Sequence, residues 1–139
     1  MVDPIAPPDC ASVRWFDPEQ LQPARGFSHV ALARGRTLVS IAGQTPVDRD
    51  LEVVGRGDLG AQTRAAMTNL WVALQAAGAG WGHVVRRTVF TTRPTEFLTI
   101  SEVIREVTGM DAQPPQSLIG VAGLVRPEFL IEIEATAVI

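Results

Sequence analysis

Two stretches decide the fold of this chain: Ala42-Gly43-Gln44-Thr45-Pro46 in the first half, and Leu130-Ile-Glu-Ile-Glu-Ala-Thr-Ala-Val138 at the end. The second stretch alternates apolar and polar residues with the two-residue period of a strand. Such alternation is typical of a strand that buries one face and exposes the other. The polar face of this strand carries Glu132, Glu134 and Thr136.

Two helices are predicted between these stretches. The first spans residues 58–77, with Asp58 as its N-cap and Gly78 where a left-handed residue ends a helix. The second spans residues 94–107, begins at a proline and ends before Gly109. Apolar residues recur at helical spacing in both, so each helix has one face for a core.

Six strands are expected around the helices, at residues 12–16, 29–33, 37–42, 83–92, 117–124 and 129–139. Arg34-Gly35-Arg36 is predicted to form the turn of a hairpin. This order predicts an α+β fold, in which two helices cover one face of a mixed sheet. The other sheet face needs a cover, and a second copy of the chain would supply it. We expect one domain, residues 1–139, with residues 1–11 as a flexible arm.

The composition excludes several classes of chemistry. All 12 basic residues are arginine, so no lysine is present to form a Schiff base or to act as a nucleophile. A net charge of −3 is a poor match to a polyanion, and no nucleic-acid partner is expected. Cys10 is the only cysteine, and His29 and His83 are isolated, so neither a disulfide nor a metal site is expected.

The chain has no apolar run of the ~20 residues that would span a bilayer, and its N-terminus does not read as a signal peptide. We therefore expect a cytoplasmic protein with no membrane partner. Trp71 and Trp81 are interpreted as packing residues around the first helix. Arg86 and Arg87 should point to opposite faces of one strand, one toward a carboxylate and the other toward solvent.

The chain resembles the RidA/YjgF (endoribonuclease L-PSP) family over residues 25–138. The segments that carry the resemblance are Gly26-Phe-Ser28, Ser40-Ile-Ala-Gly-Gln-Thr-Pro46, Ala61-Gln-Thr-Arg64, Ala77-Gly-Ala79, Val85-Arg-Arg-Thr-Val-Phe90 and Ile131-Glu-Ile-Glu-Ala-Thr-Ala137. The resemblance implies a chorismate-mutase-like homotrimer with a central barrel and a ligand cleft at each subunit boundary. It also implies hydrolysis of reactive enamines and imines, without a cofactor or a metal.

The resemblance also implies the residues of the cleft. By position these are Glu132 as the glutamate that positions or activates water, and Gly43, Ala42, Gln116, Phe27, Ser101 and Leu118 as substrate-binding residues. Gln116 stands where the family has an arginine that holds a carboxylate, and no arginine lies within residues 106–125. An amide lacks the charge and the fixed fork of a guanidinium. The pocket is therefore expected to prefer a neutral, more apolar ligand.

Glu132 has two interpretations. Alternation alone allows a solvated strand face, whereas a trimer would turn this face into the wall of a cleft, where a carboxylate can act as a general base. Glu134 is expected to pair with an arginine at the interface, although the two glutamates could exchange roles. The leading hypothesis is hydrolysis or a related water or proton transfer on a small metabolite. The alternatives are a non-catalytic ligand-binding or interaction module and, less favoured, RNA cleavage.

Overall fold

The computed structural model describes residues 11–139, and the predicted arm with Cys10 lies almost wholly outside them. Six strands and two helices follow one another along the chain. Their bounds are β1 Ser12–Phe16, β2 Val30–Arg34, β3 Leu38–Gln44, α1 Leu59–Ala76, β4 Val84–Thr91, α2 Phe97–Thr108, β5 Gln116–Gly120 and β6 Ile131–Val138.

The main sheet has four strands in the order β3-β6-β4-β5. β6 pairs antiparallel with both β3 and β4, while β4 and β5 are parallel and are joined through α2. The last strand of the sequence is thus an inner strand of the sheet. β1 and β2 form a separate antiparallel pair, which is tied to the main sheet where Trp15 Nε1 donates to the Val84 carbonyl at 2.9 Å.

Both helices begin and end close to the predicted positions. The Asp58 carboxylate accepts a hydrogen bond from the Ala61 amide at 3.0 Å, which caps α1. Gly78 and Gly109 follow the two helices with φ angles of +77° and +66°, a region that glycine enters without the strain of a side chain. None of the helices in residues 11–139 is long and apolar enough to span a membrane.

The core lies between the helices and one face of the sheet. It is built from fully buried residues of α1, α2, β4 and β6, namely Met67, Leu70, Leu74, Ile100, Ile104, Val89, Ile131 and Ile133. The Trp71 and Trp81 rings stack with centroids 5.0 Å apart beside it, which confirms their packing role. The α+β fold with two helices on one face of a mixed sheet is confirmed.

The predicted hairpin between the second and third strands is wrong. β2 pairs with β1, and β3 pairs with β6, so Gly35 joins two strands that belong to different sheets. The end of the chain occupies the place that a hairpin partner would take. The amides of Arg36 and Thr37 donate to the Ile139 carbonyl at 2.9 and 2.8 Å. β5 is also shorter than predicted, because the chain leaves the sheet after Gly120.

Candidate functional site

Gly43 and Glu132 lie in direct contact on neighbouring strands. The β3–β6 register shifts between Ile41 and Gln44, and this bulge brings the Gly43 backbone against the Glu132 side chain. A Cβ atom added to Gly43 would lie 2.0 Å from Glu132 Oε1, so only glycine allows this approach. Ala42 is exposed beside it. We call Ala42, Gly43 and Glu132 the glutamate side of the site.

Glu132 is half-buried and lies on the sheet face that the helices leave uncovered. Within residues 11–139 its oxygens have no hydrogen-bond or ion-pair partner. Phe90 stands opposite Glu132 on β4 and is half-buried as well. A carboxylate with open acceptor positions beside an aromatic wall can bind and orient a water molecule.

Phe27, Ser101 and Gln116 lie near one another at the other end of the sheet. Gln116 begins β5, and the preceding Pro115 forms a bridge with Ser28, next to Phe27. Ser101 of α2 lies against Gly26, since a Cβ on that glycine would be 3.3 Å from Ser101 Oγ. We call Phe27, Ser101 and Gln116 the glutamine side.

A groove of about 530 Å³ runs past this region. It is lined by aromatic residues of β1, by segment 26–28 and by residues 110–113. Phe27 contributes to its wall and meets the His29 ring edge to face, with centroids 5.2 Å apart.

Arg87 contacts the glutamine side through Gln116, and the sequence analysis did not place it there. It is fully buried on the helix-facing side of β4 and is bound by two amide oxygens. Its Nε donates to Gln116 Oε1 at 2.6 Å, and its Nη1 donates to Gln113 Oε1 at 3.0 Å. Its Nη2 has no partner among the described residues. Burial lowers the pKa of the guanidinium to about 9.

These hydrogen bonds fix the orientation of the Gln116 amide. Arginine has donors and no acceptor, so the Gln116 atom that faces it must be the oxygen. The Gln116 nitrogen therefore points away from Arg87, and no partner for it is found in residues 11–139. Gln116 consequently has N–H donors free, while its oxygen is bound by Arg87.

The glutamate and glutamine sides do not meet within one chain. In the sheet register, Glu132 of β6 pairs with Phe90 of β4, and Phe90 pairs with Ile119 of β5. Ile119 lies three residues after Gln116 on β5. Two strand spacings and three residues along a strand amount to about 14 Å between the two positions. Moreover, Gln116 shares the helix-facing side with Arg87, whereas Glu132 faces the opposite side. Leu118 is half-buried and packs against the core.

Arg86 and Arg87 do point to opposite faces, as predicted. Arg86 is exposed and donates to Ser117 Oγ at 2.8 Å. The expectation that one of them pairs with a carboxylate is wrong for the described residues, because Arg87 is bound by amides and Arg86 by a hydroxyl. Glu134 is exposed and lines a shallow hollow with Arg86.

The two histidines have local partners. His29 Nε2 lies 2.8 Å from the Gln22 carbonyl, and His83 Nδ1 accepts from the Gly80 amide at 2.9 Å. In the part of the chain that the structure describes, no group of three or more histidine, cysteine, aspartate or glutamate residues is arranged to bind a metal.

Sequence reasoning did not place Arg87 and Phe90 at the site. The signal for Arg87 was present, because it falls two residues before Val89 on the buried face of a strand. An arginine at an apolar position of that kind indicates a built polar environment. Phe90 is level with Glu132 only through the β4–β6 register, which the sequence does not provide.

Comparisons with known proteins agree with this architecture. A model of the endoribonuclease L-PSP family matches residues 18–139. YyfB from Yersinia pestis, a protein of unknown function of the Rid family, is 36% identical with a TM-score of 0.87, covering 92% of this chain and 99% of that one. Escherichia coli TdcF with bound serine is 33% identical with a TM-score of 0.67, covering 74% and 81%. A RutC family protein of Synechocystis sp. is 32% identical over 99 residues, which are 70% of this chain and 75% of its own length.

Proposed function

Because this chain belongs to the endoribonuclease L-PSP family of Rid and RutC proteins, we propose that it hydrolyses the C=N bond of a small imine in clefts formed between its own copies. Water adds to the imine carbon, and the nitrogen then leaves as ammonia or an amine, which gives a carbonyl product. An enamine substrate enters the same route after it tautomerises to the imine. No redox step is involved.

The observation that carries this proposal is the half-buried Glu132, whose carboxylate has no partner in residues 11–139 and lies against Gly43. One carboxylate oxygen accepts a proton from the attacking water and later returns it to the departing nitrogen. Gly43 leaves the space in which this side chain lies. The half-buried Phe90 beside it limits access of bulk water and thereby strengthens the interaction of the carboxylate with a bound water.

The separation of the two sides supports a cleft shared between subunits. A small substrate cannot reach Glu132 and Gln116 of one chain when they are about 14 Å apart on opposite faces of a sheet. Within residues 11–139, neither helix covers the sheet face that carries Glu132. We propose a homotrimer in which Glu132 of one subunit faces Gln116 of the next, and Gln116 donates to an acceptor atom of the substrate.

The first test is imine hydrolysis, with an amino-acid oxidase generating 2-iminobutanoate in the cuvette. Glu132→Gln should reduce turnover by about 10²–10⁴-fold, the usual contribution of a general base. Glu134→Gln is the matched control, two residues along the same strand face, and it should retain turnover. Unchanged turnover in Glu132→Gln would exclude the assigned role. Thermal stabilisation of the wild type by product, without any hydrolysis, would indicate a binding module instead.

A mixing experiment tests the shared cleft. Glu132→Gln and Gln116→Leu subunits are each expected to be inactive. If they are unfolded together and refolded as a 1:1 mixture, random assembly of a cyclic trimer gives about one quarter of the clefts both native residues. Activity should therefore return to about a quarter of the wild-type value. If each site lay within one subunit, no activity would return.

RNA cleavage, which the family description names, is not the function we propose for this chain. The net charge of −3 and the two glutamates on the uncovered sheet face oppose binding of a phosphate backbone.

A further inference from the structure

We infer that Arg87 is a positioning and specificity-determining residue of the cleft, which acts on the ligand through Gln116. It holds the Gln116 amide with its N–H groups toward the ligand, and its buried positive charge makes the cleft favour an anionic oxygen at that point. This inference rests on the proposed function in one respect, namely that Gln116 faces the cleft.

The geometry of Arg87 is that of a built site. Arg87 is 2% exposed, and two of its guanidinium nitrogens are bound by the side-chain oxygens of Gln116 and Gln113. Gln113 is itself fixed, because its Nε2 donates to Thr108 Oγ1 at 2.8 Å and to the Met110 carbonyl at 2.7 Å. Gln116 is the only one of the two amides with donors left for a ligand among the described contacts.

No carboxylate of residues 11–139 compensates the charge of Arg87. A buried cation that is bound only by neutral amides is costly, and proteins usually place a counter-ion beside such a charge. An anion bound to Gln116 would supply the missing negative charge, transmitted through the Nε–Oε1 hydrogen bond of 2.6 Å.

This arrangement alters the expectation that the pocket prefers a neutral ligand. That expectation rested on the absence of arginine from residues 106–125, whereas the sheet brings an arginine to Gln116 from the neighbouring strand. The Arg87 charge attracts an anionic oxygen bound to Gln116 by Coulomb interaction across the Gln116 amide, and within a protein this attraction corresponds to about tenfold in affinity. The cleft should therefore bind a carboxylate about tenfold more tightly than its neutral amide isostere.

The test compares 2-oxobutanoate with 2-oxobutanamide by isothermal titration calorimetry on the full chain at low salt. The wild type should bind the carboxylate about tenfold more tightly than the amide. Arg87→Gln should bring this ratio close to one, and Arg87→Lys should keep most of the preference because it retains the charge. Arg86→Gln removes the adjacent charge from the opposite face and should leave the ratio unchanged. A ratio near one in the wild type, or about ten in Arg87→Gln, would overturn the inference.

If Arg87→Gln does not fold, Gln116→Glu tests the same point. Its carboxylate would pair with the Arg87 guanidinium and supply the missing charge from within the chain. The variant should melt at a higher temperature than the wild type and should lose the preference for 2-oxobutanoate. Retention of that preference in Gln116→Glu would overturn the inference.

The hydrolysis assay on the same proteins separates this inference from the proposed function. A wild type that shows the ratio of about ten without hydrolysing any imine would contradict the reaction and leave the role of Arg87 intact. A wild type that hydrolyses imines, with a ratio that Arg87→Gln does not change, would contradict the role of Arg87 alone. Absence of both binding and hydrolysis would overturn both.

Discussion

Replacing Gly43 with alanine should separate activity from stability. The added Cβ would lie 2.0 Å from Glu132 Oε1, and also 2.7 Å from Cδ and 2.8 Å from Cγ. The backbone of Gly43 does not have a positive φ, so alanine meets no strain there. The carboxylate must therefore rotate away while the strand stays in place.

The two expected magnitudes differ. Moving a side chain out of its favoured rotamer costs about 1 kcal/mol, so the melting temperature should fall by roughly 4 °C. Displacing a general base removes its whole contribution, so imine turnover should fall by about 10²–10⁴-fold. Gly43→Ala should therefore be nearly as inactive as Glu132→Gln, and the double variant should be no worse than either.

The assay is imine hydrolysis at saturating substrate, with thermal unfolding of the same samples. Gly123→Ala is the matched control, because a Cβ there meets nothing within 4 Å. It should retain both turnover and melting temperature. Wild-type turnover in Gly43→Ala would refute the assignment of Glu132, and a large loss of stability would refute the claim that only the side chain moves.

Further predictions concern the fold and the polar contacts around the site. Asp58→Ala should lower the free energy of unfolding by about 1 kcal/mol in urea titrations, because it removes the cap of α1, and Asp58→Asn should be nearly neutral. Gln62→Leu should cost about 2–4 kcal/mol, since the buried Gln62 amide bonds the Glu128 carbonyl and the Leu130 amide at the entry to β6. Gln116→Arg should cost about 2–4 kcal/mol by placing a second cation beside Arg87, and the double swap with Arg87→Gln should recover most of it, as a double-mutant cycle would measure. The pKa of Glu128 is lowered from its usual 4.5, chiefly by a hydrogen bond from its own backbone and also by Arg56 and Arg126. The Glu128 carboxylate should therefore stabilise the fold fully at neutral pH, and this stabilisation should disappear as the pH falls below about 4.5. The free energy of unfolding of the wild type and of Glu128→Gln, measured over this pH range, would test it.

Much of the fold follows from the sequence because local patterns determine it. The cap at Asp58 and the glycines at 78 and 109 mark both helices, and the alternation in residues 131–138 assigns the buried face of β6. The wrong hairpin has a physical cause of a different kind. The chain does leave β2 at Gly35 and bend at Arg36, but strand partners depend on contacts between distant segments, and residue 139 lies beside this bend.

The candidate site was predictable in its parts and not in its arrangement. The resemblance assigned Gly43 and Glu132 to the cleft one by one, whereas their direct contact follows from the β3–β6 bulge. Considered alone, Gln116 indicated that the cleft had lost the positive charge of the family's arginine. Only the parallel register of β4 and β5 reveals the Arg87 guanidinium that bonds it, because register between strands far apart in sequence is fixed by the whole sheet.

The central place of β6 has a consequence for synthesis of the protein. β3 and β4 are made long before residues 131–138, yet each has β6 as a neighbour in the finished sheet. Until that strand emerges from the ribosome, two strand edges with unpaired backbone groups are exposed, and such edges promote aggregation. The sheet is thus completed only after residues 131–138 have been translated, and a nascent chain that stops before residue 131 should depend on chaperones to stay soluble.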